Sequence, residues 1–86
     1  MGKTNPAWDS VHGAKGRIAL AEQDHQGAWR NMMKINDFSR KRSLQALIFN
    51  KWAKIDWKAL ELAQKEFVRE NRDELKEWER KVNQGR

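Results

Sequence analysis

The sequence predicts an all-α fold, and three observations predict it. Between Gly27 and Gly85 no glycine or proline interrupts the chain. Through that stretch apolar residues recur at steps of three and four, the period of one helix face. Nowhere do β-branched and polar residues alternate as a half-buried strand requires. The pattern divides into three main helices, at about 17–33, 38–54 and 57–82, after a short helical turn. Residues 1–16 are then a short N-terminal segment and 17–86 a single helical domain.

The turn opens at Asn5-Pro6, a cap residue followed by proline at the first helical position, and closes near Gly13. Trp8 and Val11 are its apolar residues. The first main helix carries an imperfect stripe of Ile18, Ala21, Ala28, Trp29, Met32 and Met33, and Gly27 inside it costs roughly 1 kcal/mol relative to Ala. The second starts at the Asn36-Asp37 cap. Its face of Leu44, Leu47, Ile48, Trp52 and Ile55 reads as buried, with Phe49 off that face as a contact residue. The third starts at Asp56, with Ile55 and Leu60 at hydrophobic-staple spacing. Trp57, Leu60, Phe67, Val68, Leu75, Trp78 and Val82 then share a narrow stripe with Gln64 and Asn71. About 26 residues make a rod of roughly 39 Å. The sequence is equally compatible with one continuous helix through Asp56.

A rod that long outreaches the second helix, so its distal stripe predicts burial against a second copy or another partner. Asn71, a polar seam residue, would fix the register of such a helix-mediated dimer. Phe49, Asn71, Trp78 and Val82 are the predicted interface residues.

Composition narrows the function. The chain has 86 residues, no cysteine, five Trp and a net charge of +6. A core this small contributes about 3–5 kcal/mol, and no disulfide or thiolate site can add to it. No apolar run approaches the ~18 residues of a membrane span, and none resembles a secretory signal. Gly2 follows Met1, but Pro6 stands where myristoylation requires Ser or Thr. A soluble, intracellular, cytoplasmic protein without membrane contact is expected.

Catalysis is not expected. Asp9-x-x-His12 and Glu22-x-x-His25 are carboxylate–His pairs, but a di-metal site needs two Glu-x-x-His motifs and two further Glu. Gly2-Lys3-Thr4 ends like a phosphate loop and lacks its upstream glycine and strand. Nothing suggests a base-activated nucleophile. No enzyme, metal or cofactor is predicted.

The charge is unevenly placed. Residues 1–55 hold ten Lys/Arg against four Asp/Glu, whereas 56–86 hold eight of each. Within 57–82, Lys58, Lys65, Arg69, Arg72, Lys76 and Arg80 form one wheel stripe beside an acidic one of Glu66, Glu70, Asp73 and Glu77. Arg40-Lys41-Arg42 falls at a helix N-terminus, where free N–H groups already attract anions. With Lys15, Arg17, Arg30, Lys34, Lys51 and Lys54, this cluster predicts sequence-tolerant nucleic-acid binding, DNA ahead of RNA. The second and third helices lack the glycine-containing turn of a helix-turn-helix repressor. The competing expectation is a protein-binding adaptor or inhibitor that docks on an acidic protein surface through Trp and Arg anchors. A small, Trp-rich, single-domain chain of that kind suits a viral or plasmid accessory protein.

Overall fold

A computed structural model describes residues 6–84. The Asn5 cap, the Gly2-Lys3-Thr4 run and Gly85 lie outside the described residues. Five helices follow one another: α1 Pro6–Ala21, α2 His25–Met33, α3 Phe38–Trp52, α4 Trp57–Glu70 and α5 Arg72–Gln84. Among the described residues none is in a strand, and no helix is long and apolar enough to cross a membrane.

The all-α prediction holds, but the division into helices does not. The expected turn and the front of the expected 17–33 helix are one helix, α1, which runs through Gly13 and Gly16. Gly16 is what lets α1 approach α3: a Cβ there would stand 2.8 Å from the Leu44 Cδ2. The 17–33 helix breaks at 22–24 because Gln23 adopts φ 65°. The Gln23 N–H donates to Leu20 O and the Asp24 N–H to Ala19 O, the paired bonds of a Schellman C-cap. Asp24 then caps α2, its Oδ1 accepting from the Gly27 N–H at 3.0 Å.

α3 starts as predicted after Asp37 and ends at Trp52, two residues short of the expected 54. The Ile55 and Asp56 N–H groups both donate to Trp52 O in the turn that follows, so α3 and α4 are separate helices. Asp56 caps α4 by accepting from the Ala59 N–H at 3.2 Å, while Ile55 stays exposed, so the cap rests on the aspartate. The expected rod at 57–82 is interrupted at Asn71 (φ −118°, ψ 27°), which divides α4 from α5.

The core lies where α2, α3 and α4 meet. Trp29 packs edge-on against Trp52 (5.8 Å) and Phe67 (6.0 Å), and Phe38 adjoins Phe67. Met32, Ile35, Ile48 and Leu60 complete it, all at 2 % exposure or less. Each buried Trp removes on the order of 150–250 Å² from water, worth about 4–6 kcal/mol of transfer free energy. Only Trp29 and Trp52 of the five do so; Trp8, Trp57 and Trp78 are exposed. α3 is rotated from the predicted face. Leu44, Ile48 and Trp52 point inward as expected, but Leu47 and Ile55 are exposed and Gln45 is buried in their place. Gln45 is fully engaged: its Oε1 accepts from Arg42 and its Nε2 donates to Gln64 Oε1, both at 2.7 Å.

No residue of α5 is fully buried; Leu75 is half-buried and packs against the core. The radius of gyration is 13.2 Å, where about 12 Å is usual for this length.

Candidate nucleic-acid interface

Two shallow depressions adjoin on the α1–α3 side of the molecule, with Arg17 lining both. The first, of about 530 Å³, is walled by Ser10, Gly13 and Ala14 of α1 and by Ser39, Arg40 and Ser43 of α3. The second, of about 630 Å³, lies between Leu20 and Ala21 on one side and Leu47, Lys51, Lys54 and Ile55 on the other. Helical spacing accounts for this: residues 10, 13/14, 17 and 20/21 share a face of α1, and 40, 43/44, 47 and 51 share a face of α3. The rotation of α3 that exposes Leu47 is what brings Lys51 and Arg40 onto this side.

Asp9 braces the first depression. It is 5 % exposed, its Oδ1 accepts from the Asn36 N–H at 2.8 Å, and its Oδ2 accepts from the Asp37 N–H at 3.0 Å. Asp37, the expected cap, makes no side-chain cap bond of its own. A residue 28 positions upstream thus satisfies the start of α3. The Asn36 N–H bond holds the Asp9 carboxyl below the ordinary carboxylate range; burial opposes this, and the Asp37 N–H, Arg40 and Lys41 reinforce it.

The nine predicted phosphate contacts divide into three groups. Arg17, Arg40, Lys51 and Lys54 line the α1–α3 side. Among the described residues Arg17, Lys51 and Lys54 pair with no carboxylate, while Arg40 has an exposed 3.8 Å contact with Asp37, a 3.5 Å contact with Ser10 Oγ and the Asp9 charge nearby. Lys15, Arg30 and Lys34 are exposed elsewhere.

Lys41 and Arg42 form the third group and turn toward the C-terminal helices. Lys41 Nζ donates to Asn71 Oδ1 at 3.0 Å, and Arg42 stands 5.3 Å from the Trp78 ring centre. Burial pushes the Lys41 ammonium down from its usual range, while Glu74, Glu70 and Asp9 push it up. Three consecutive residues on a helix point about 100° apart, so Arg40-Lys41-Arg42 is a cluster in sequence and not in space.

The predicted interface residues are likewise dispersed. Asn71 is 3 % exposed; its Nδ2 donates to Phe67 O at 2.9 Å while its Oδ1 accepts from Lys41. It joins α4 and α5 to α3 within one chain. Phe49 is half-buried and meets Trp57 edge-on at 6.0 Å. Trp78 and Val82 stay exposed on α5. The two histidines of the carboxylate–His pairs have other partners: His12 Nδ1 is 3.2 Å from Asn31 Oδ1, and His25 stacks on Trp52. Among the described residues no three His, Asp or Glu side chains converge as a metal-ligand set.

Ser39 and Ser43 flank the 40–42 cations in sequence and are readable there as hydroxyl donors, whereas Ser10 was missed: only the packing of α1 on α3 brings it to Arg40 and the two α3 serines. Compared with known protein families, with curated proteins and with solved structures, the chain finds no match.

Proposed function

We propose that this protein binds nucleic acid without strong sequence preference, DNA ahead of RNA, by holding phosphates along its α1–α3 side. The observation that carries this reading is the convergence of Arg17, Lys51 and Lys54, free of carboxylate partners, with Arg40 on one continuous surface. Cations without carboxylate partners on a surface of net positive charge, here four cations against the nearly buried Asp9, are the footprint of polyanion binding, because each phosphate neutralised releases a counterion. Ser10, Ser39 and Ser43 add hydroxyl donors of the kind that fix a backbone in place. Labelled-duplex anisotropy at several salt concentrations tests it. Micromolar or tighter binding with a steep loss on raising salt is expected, and no binding at low salt would refute it.

A second reading, a protein-binding module, has its own observation. On the face opposite Lys51, the Phe49, Trp57, Leu60 and Val68 side chains line an apolar depression of about 430 Å³. Trp57 and Val68, which line it, are 54 % and 41 % exposed, as interface anchors are. Binding through this patch would tolerate salt, and Trp57→Ala would abolish it.

A further inference from the structure

Resting on the nucleic-acid reading, we infer that the α1–α3 surface takes a paired, double-stranded backbone rather than a single strand. The argument concerns where the aromatic side chains are. Proteins that hold single strands combine cations with exposed rings on which bases stack, at about 1–3 kcal/mol per base. This chain has eight Trp and Phe, enough for such a platform, yet none lines either depression.

Each ring is committed elsewhere. Trp29, Trp52 and Phe67 are core, and Phe38 packs on them. Trp8 points from the far side of α1, its Nε1 donating to Lys34 O at 2.8 Å and its ring against His12. Phe49 and Trp57 meet each other on the opposite side of α3, and Trp78 lies against Arg42. His25, at the edge of the second depression, has its ring stacked on Trp52.

What remains is charge and hydroxyl groups, which read phosphate, together with aliphatic Leu47 and Ile55 in the second depression, which offer no ring for a base to stack on. For such a surface, ligand charge density decides the preference. From Arg40 to Lys51 the face runs about 16 Å along α3. Over that length a duplex presents roughly nine phosphates and a single strand about half as many. The duplex is also stiff, so three cations fixed on two packed helices, with Lys54 in the turn after α3, meet phosphates already in place.

The experiment compares labelled duplex DNA, duplex RNA and single-stranded DNA of equal length across a salt series, using the full chain. A paired backbone is expected to bind about tenfold or more tightly than the single strand near 0.1 M salt, with a log–log slope of about −3.6 for four phosphates. The duplex RNA arm shows whether either kind of paired backbone suffices. Arg17→Ala and Lys51→Ala, both at exposed positions, should each reduce the slope by about 0.9. Equal or tighter binding of the single strand overturns the inference and leaves the nucleic-acid reading standing. Binding of none of the three overturns both.

Discussion

Substituting Gly16 by Ala probes the α1–α3 contact on which the proposed surface depends. In a helix interior Gly→Ala gains about 1 kcal/mol from propensity alone. At Gly13, where an added Cβ would meet nothing within 4 Å, that gain should be realised in full. At Gly16 the Cβ would stand 2.8 Å from Leu44 Cδ2, and Leu44 is itself buried at 4 % exposure with little room to retreat. Overpacking of this kind costs about 1–3 kcal/mol, which leaves a net loss of about 1 kcal/mol. Urea unfolding followed by far-ultraviolet circular dichroism should thus separate the two variants by about 2 kcal/mol, with opposite signs. In thermal melts each kcal/mol corresponds to about 4–8 °C for a domain this size. In a Leu44→Ala background, itself about 2–5 kcal/mol less stable, Gly16→Ala should become stabilising because the obstructing methyl is gone. If Gly16→Ala stabilises the wild-type chain as much as Gly13→Ala does, α1 does not lie on α3 as described.

Three further outcomes follow from the packing and the caps. Gln23→Gly should raise stability by about 1 kcal/mol in a urea titration, because glycine adopts the left-handed conformation at 23 without a Cβ penalty. Trp52→Ala should cost about 3–5 kcal/mol, whereas Trp78→Ala, at an exposed position of α5, should cost no more than about 1 kcal/mol, that of an exposed cation–π contact; equal losses would mean that Trp78 is buried. Asp9 titrates below its unfolded value of about 3.9, so its contribution to stability is complete above that pH and lost as pH falls through the lower folded value. Asp9→Asn should therefore flatten the acid limb of the stability–pH curve, and an unchanged limb would contradict the bonds to Asn36 and Asp37.

Local chemistry was legible in the sequence wherever it acted locally. Asp37 and Asp56 marked the starts of α3 and α4 to the residue; at Asp56 the reason is the local cap bond from the Ala59 N–H, whereas Asp37 makes no side-chain cap bond and distant Asp9 satisfies the start of α3. The breaks at Gln23 and Asn71 were not legible. Neither is glycine or proline, and each is stabilised by bonds that a propensity argument does not weigh: the Schellman pair at 20–24, and the Lys41 and Phe67 partners of Asn71. Gly13 and Gly16 were read as punctuation, whereas at Gly16 the missing side chain is a packing requirement set by Leu44, 28 residues away. The same limit applies to the site. Charge asymmetry places the proposed site in the first 55 residues. The consecutive cations 40–42 drew attention through adjacency, although the packing scatters them and gathers Arg17, Arg40, Lys51 and Lys54 instead.

The most direct test of nucleic-acid binding by the α1–α3 side compares two variants that lose the same charge from different faces. Arg17, Lys51 and Lys54 are replaced together by Ala in one, and Lys65, Arg69 and Lys76 of α4–α5 in the other. Duplex DNA affinity is then measured against salt. The log–log slope should fall by about 2.7 in the first variant and stay near the wild-type value in the second. Equal weakening in both would contradict a defined binding face and leave only the attraction of a basic chain for any polyanion.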